Sequence, residues 1–244
     1  MGLAGGAARL KPERAMKAAA FAGLPRASVQ YLRDLAANNN RDWFEANRDR
    51  YEAEWLNPGL DLAEALAPFG AKMEPPLLSR PKLNASVRRI HRDVRFSADK
   101  RPYEPMLHLI LSTGNEFNKV PGFHIVLTPA GLGWGAGAYG LAPEVLETLR
   151  RRICDDGQRR TLLDAVAAAN RVGSTFGQPD LARVPKGFAG EPDWEHLLRR
   201  KSLILRTQTE TPAPDWLFSS EAPERLAAIA RAHLPLLGWL DGKA

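Results

Sequence analysis

Between Arg80 and Arg101 the chain reads RPKLNASVRRIHRDVRFSADKR, followed by Pro102 and Tyr103, and this is where its chemistry is concentrated. Eight of those residues are Lys or Arg and two, Asp93 and Asp99, are acids, a surplus of six that equals the formal charge of the whole protein. The other 222 residues balance, with 26 bases and 26 acids. Guanidinium groups present forked donors that match phosphate and carboxylate oxygens, so the chemistry on offer is anion recognition. The alternation from Arg88 to Phe96 predicts a strand that sends Ile90, Val94 and Phe96 to one face with Arg92, and Arg89, His91, Asp93 and Arg95 to the other. On that basis Arg89, His91, Asp93, Arg95, Lys100 and Tyr103 are the candidate ligand-binding residues, with Asp93 pairing Arg89 or Arg95 to orient their forks. Arg92 falls to structure because it shares the apolar face, an assignment a bulge would reverse.

Other chemistries fit the residues poorly. The five histidines (91, 108, 124, 196 and 233) are scattered, and no Ser or Cys lies in a nucleophile elbow or beside an expected base. His91 and Asp93 are two mixed ligands among arginines, a poor cation site, so no metal is assigned. Asp155-Asp156-Gly157 lacks the regularly spaced oxygens of a calcium loop and reads as a turn. The glycines from 131 to 140 contain GxGxxG, but with Trp134 and Tyr139 interleaved and no parallel unit around them they read as a strand that another backbone approaches closely. No cofactor and no catalytic residue is assigned. His91 is the candidate acid or base if the site acts on a phosphate ester or anhydride.

Three readings of the basic stretch follow. The first is a site for a phosphate- or carboxylate-bearing small molecule. The second is an internal ion-pair network that joins sheet to helices and takes no ligand. The third is a nucleic-acid module with Trp43 or Trp134 stacking on bases. The sequence ranks them in that order, since a formal charge of +6 over 244 residues and a pI of about 9.7 are common among proteins that bind no nucleic acid.

The elements that must hold this stretch are legible in outline. A 44% hydrophobic composition and a mean hydropathy of −0.32 suit a globular domain with a real core. Residues 1–20 read as a flexible Ala-rich extension and 21–244 as one domain. A single cysteine, Cys154, and the lack of a signal or membrane span suggest a cytoplasmic protein; oligomeric state is not encoded legibly. Ser28 is the expected N-cap of a first helix carrying Tyr31, Leu32 and Leu35, which Asn38, Asn39 and Asn40 should end while capping the next. That second helix carries Trp43, Asn47, Tyr51 and Trp55 at spacing four, and Asn57-Pro58 should open a third. Strands are expected at 106–113 (with helix as an alternative), 122–128, 132–139 and 203–209 besides 88–96, and helices at 143–154, 158–169, 193–200 and 220–232. The fold class is therefore α+β: a mostly antiparallel sheet covered by N-terminal helices and by a central and C-terminal helical layer.

Three segments together resemble a known family. They are Asn39-Asn40-Arg41-Asp42-Trp43-Phe44, then RIHRDVRFSADKRPY from Arg89 to Tyr103, then Pro185-Lys186-Gly187-Phe188. The match is to the bacterial and fungal domain-of-unknown-function family 2461, a conserved hypothetical family, from roughly Leu24 to the C-terminus. The resemblance implies a single-domain cytoplasmic α+β protein and no established activity. Within these segments Asn39, Arg41, Trp43 and Asp99 are read as structural. Glu104 stands where the family pattern suggests Lys, which removes a cation from that position.

Overall fold

The computed structural model describes residues 21–117 and 120–242; the expected extension at residues 1–20 lies outside them. Helix α1 (Ala27–Ala37) buries Tyr31, Leu32 and Leu35 on one side, as their spacing requires. Ser28 is not its N-cap. The helix begins two residues earlier, with the Pro25 carbonyl accepting from the Ser28 amide at 2.9 Å, and the Ser28 hydroxyl instead donates to the Glu54 carbonyl at 2.5 Å. The asparagine run behaves as expected. Asn38 Nδ2 closes α1 on the Asp34 carbonyl at 2.9 Å, and Asn40 Oδ1 caps α2 (Arg41–Ala46) by accepting from the Trp43 amide at 2.9 Å.

The expected second and third helices are cut differently. Asn47 separates α2 from α3 (Arg48–Arg50), which continues through a π-helical stretch, Tyr51–Leu56, into α4 (Asn57–Gly70). Asn57-Pro58 therefore lies inside a continuous helical path. The widened turn comes immediately before Pro58, the residue that cannot donate to a helical ladder. Along this path Phe44, Tyr51 and Trp55 are all buried, so the aromatic stripe is core.

The strands are β1 (Leu107–Ser112), β2 (Gly122–Leu127), β3 (Leu132–Ala138), β4 (Thr175–Phe176) and β5 (Leu203–Arg206). They form an antiparallel sheet in the order β1-β2-β3-β5-β4. Strand alternation divides β1 and β2 sharply. Leu107, Leu109 and Leu111 with Phe123, Ile125 and Leu127 enter the main core against α1, α4 and α8 (Ala222–Arg231), while His108, Ile110 and His124 take the other side. A second core gathers α5 (Pro143–Cys154), α6 (Asp156–Asn170) and α9 (Leu234–Leu240) around Trp239, Leu203 and Leu205; the short α7 (Glu195–Leu198) adds Leu197 and Leu198. Asp155 caps α6 through the Gln158 amide at 2.9 Å, so the acidic pair is a helix junction.

The glycine-rich strand is where backbones meet. A Cβ on Gly137, whose φ is +149°, would stand 2.0 Å from the Leu203 carbonyl oxygen, and one on Gly135 2.7 Å from that of Leu205. Both of β3's neighbours are antiparallel, which is incompatible with a dinucleotide-binding βαβ unit.

One expected strand is absent. Residues 88–96 form no ladder: Val87 bridges Leu109 on the outer edge of β1, and beyond it the chain pairs only through His91 with Tyr103. Two local causes compete with a ladder. Asp93 Oδ1 accepts from the Arg95 amide at 3.3 Å and Asp99 Oδ1 from the Arg101 amide at 3.0 Å, turning the backbone at each. Pro102, across from this segment, has no amide to give. Phe96, expected inward, is consequently 95% exposed.

Candidate functional site: an arginine-lined cleft

The basic segment is held at three points. The Arg88 amide donates to the His108 carbonyl at 2.9 Å, which fixes it to β1. Further on, the Arg92 amide donates to the Pro102 carbonyl at 2.9 Å and the Glu104 amide to the Ile90 carbonyl at 2.8 Å. Asn39 supplies the third point by imitating a strand: its Nδ2 donates to the Tyr103 carbonyl at 2.9 Å and its Oδ1 accepts from the Tyr103 amide at 3.1 Å. Ile90 and Tyr103 are buried beneath, and the Tyr103 ring stacks on Phe44 with centroids 4.2 Å apart.

Above this floor lies a cleft of about 450 Å³ lined by Arg88, Arg89, His91, Arg92, Asp93, Glu104, Met106 and His108. Of the expected ligand-binding residues, Arg89, His91 and Asp93 line it. Arg95, Lys100 and Tyr103 do not. Arg95 is spent on Asp93, to which it donates twice at 2.9 and 2.7 Å. Lys100 Nζ donates to the Val94 carbonyl at 3.0 Å, closing the 94–100 turn, and Tyr103 lies below with its ring edge-on to His91 at 5.1 Å.

Arg92 belongs to both descriptions. It reaches Asp99 at 2.7 Å and Glu104 at 3.4 Å, and it lines the cleft. Asp99 also takes Arg101 at 2.8 Å, and these two guanidiniums hold its carboxyl well below the usual range. The premise that placed Arg92 on an inward strand face fails with the strand. Arg89 is different: it is exposed and makes no hydrogen bond or ion pair among the described residues. Among the remaining residues read as structural, Asn39 clamps Tyr103, Trp43 packs against Tyr31 with centroids 5.9 Å apart, and Arg41 is exposed beside the Tyr103 phenol.

The cleft's charged lining is net positive. Partial burial, with Arg48 and Arg89 nearby, pushes the His91 imidazole below its ordinary value, so it is neutral at pH 7 and able to donate a hydrogen bond or accept a proton. Three guanidiniums face two carboxylates, Asp93 and Glu104, which arginines already engage. Among the described residues, no three His, Cys, Asp or Glu side chains gather as metal ligands.

Residue spacing did not reveal His108, which lines the cleft on the β1 side, or its partner behind it. His108 and His124 are partly buried and hydrogen-bonded, Nε2 to Nδ1, at 2.8 Å, with Arg88 near both. Burial foremost, then His124 and Arg88, pushes His108 down to about 3; burial and Arg88 push His124 down to about 4. The pairing register creates this dyad, since Ile110 lies opposite His124 and so sets His108 diagonal to it. The available signal was one polar residue in mid-strand in each of LHLILS and GFHIVL.

No curated protein and no solved structure matches the chain. Among the described residues, no helix is long and apolar enough to cross a membrane. The family model of a conserved hypothetical protein, DUF2461, matches residues 27–239, a span that runs from α1 to α9 and contains the whole arginine-lined cleft, and the chain belongs to that family.

Proposed function

We propose that the cleft beside β1 binds a small molecule through a phosphate or carboxylate group. Arg89 supplies the forked donors, Arg92 a second positive charge on the wall, His91 a neutral polar partner, and Arg88 closes the side toward the sheet. The observation that carries this reading is Arg89, an exposed guanidinium on the cleft wall that no protein acceptor engages among the described residues. An arginine of that kind is free to make a bidentate contact with an oxyanion without first breaking one. Asp93 and Arg95 brace the rim, and Tyr103 positions His91 from below.

The ion-pair network is part of the same picture. Arg92, Asp99, Arg101 and Glu104 shape the wall, leaving Arg89 for a ligand. The nucleic-acid reading has less support, because both of its stacking rings, Trp43 and Trp134, pack against the main core and Trp134 Nε1 donates to the Val172 carbonyl at 3.0 Å. A cytoplasmic setting accompanies the reading, since the one cysteine is a free, exposed thiol.

Calorimetric titration with inorganic phosphate at low salt tests the proposal. Arg89→Ala removes an exposed side chain, so the variant should fold normally and bind phosphate about tenfold more weakly. A folded variant with unchanged affinity would remove the cleft from consideration.

A further inference from the structure

The arginine cleft has a neighbour. A second hollow of about 620 Å³ lies along the outer side of β1 and β2 under α5 and α9, and Arg88 and His108 line both spaces. Its walls differ in character. Ile110, Leu141, Val145, Leu149 and Leu240 give it an apolar lining, interrupted by the His108–His124 pair. Large hydrophobics left in water are few among the described residues: Phe96, Tyr139, Val145 and Leu163. Two of these, Tyr139 and Val145, stand at this hollow. An apolar concavity with a few polar groups at one end is the usual construction of a small-molecule site, and each hollow falls within the usual size of about 300–1,000 Å³.

We infer that the two hollows form one binding site for a soluble amphiphilic anion, whose phosphate or carboxylate head meets Arg89 and Arg92 and whose apolar body lies against Ile110, Val145 and Leu240. This rests on the anion-binding reading of the cleft and adds the class of ligand. Arg88 and the histidine pair occupy the junction, where the head joins the body and a polar linking atom would find donors. His108 Nδ1 and His124 Nε2, the ring nitrogens outside their mutual hydrogen bond, have no other partner among the described residues. They are available to such an atom.

Calorimetry on the full chain with inorganic phosphate, hexyl phosphate and 1-hexanol separates this inference from the reading beneath it. Hexyl phosphate should bind at least about 30-fold more tightly than inorganic phosphate, and 1-hexanol at least about 30-fold more weakly than hexyl phosphate. Val145→Glu, at an exposed position, should remove most of the gain for hexyl phosphate and leave inorganic phosphate within about twofold. A butyl, hexyl and octyl phosphate series on the wild type gives the same test without a variant, with affinity rising along the series. Phosphate and hexyl phosphate binding equally would overturn the apolar half and leave the anion site standing. Binding of neither would overturn both. Hexanol binding as tightly as hexyl phosphate would make the apolar hollow independent of the arginines and so overturn the joint site. Co-sedimentation with phosphatidic acid vesicles would overturn the assignment to a soluble ligand.

Discussion

Acidification from pH 7 to pH 5 should weaken this fold chiefly through the His108–His124 pair. In the folded chain His108 is pushed down to about 3 and His124 to about 4. In the unfolded chain both return to the ordinary value of about 6.5. Below that value the unfolded state takes up two protons that the folded state refuses. The stabilising contribution is therefore complete above about 6.5 and is lost progressively as pH falls toward about 4. Each imidazole accounts for roughly 2 kcal/mol between pH 7 and pH 5, or about 4 kcal/mol for the pair. Urea unfolding across that range, comparing the wild type with a His108→Leu/His124→Leu double variant, measures it. His91, His196 and His233 are also held below their ordinary values, but they are common to both proteins and cancel in the difference. The wild type should lose about 4 kcal/mol more than the variant. Equal losses would refute the reasoning, because the folded pair would then take up as many protons as the unfolded chain. An NMR titration of the wild-type imidazoles reads the same quantity without the variant.

Three further outcomes follow from the packing. Phe96→Ser should change stability by less than about 0.5 kcal/mol in urea unfolding, since the ring is in water; a loss several times larger would return Phe96 to the interior. Gly137→Ala should cost about 3 kcal/mol or more and lower the thermal midpoint by several degrees, because β5's backbone occupies the space and φ is positive; an unchanged midpoint would contradict the close approach of β3 and β5. Asn39→Ala removes both hydrogen bonds to Tyr103 and should cost about 1–2 kcal/mol while speeding amide exchange at Tyr103 and Glu104; protection equal to wild type would show that the clamp is not needed.

Much of the fold was legible because its signals are local. The asparagine run, the alternation in GFHIVL and the apolar spacing of α1, α5 and α6 each carry their own geometry. The basic stretch misled for a physical reason: its alternation satisfies the pattern of a strand, but Asp93 and Asp99 bond their own backbone two residues on and divert the chain into turns. That difference moves Phe96 into water, gives Arg95 to Asp93 and leaves Arg89 as the exposed fork. The histidine pair at the β1 side of the cleft was invisible for another reason. His108 and His124 are separated by 16 positions, and only the register of β1 on β2 brings them together. Charge concentration pointed to the cleft, while pairing register, which no single segment contains, set the histidine pair beside it.

The most direct measurement is an NMR titration of the arginine Nε–H signals with inorganic phosphate at low salt. Arg89 should shift in a saturable manner, while Arg95, held by Asp93, and Arg101, held by Asp99, should stay in place. Shifts that never saturate, or that spread evenly over every exposed arginine, would contradict a phosphate-binding cleft.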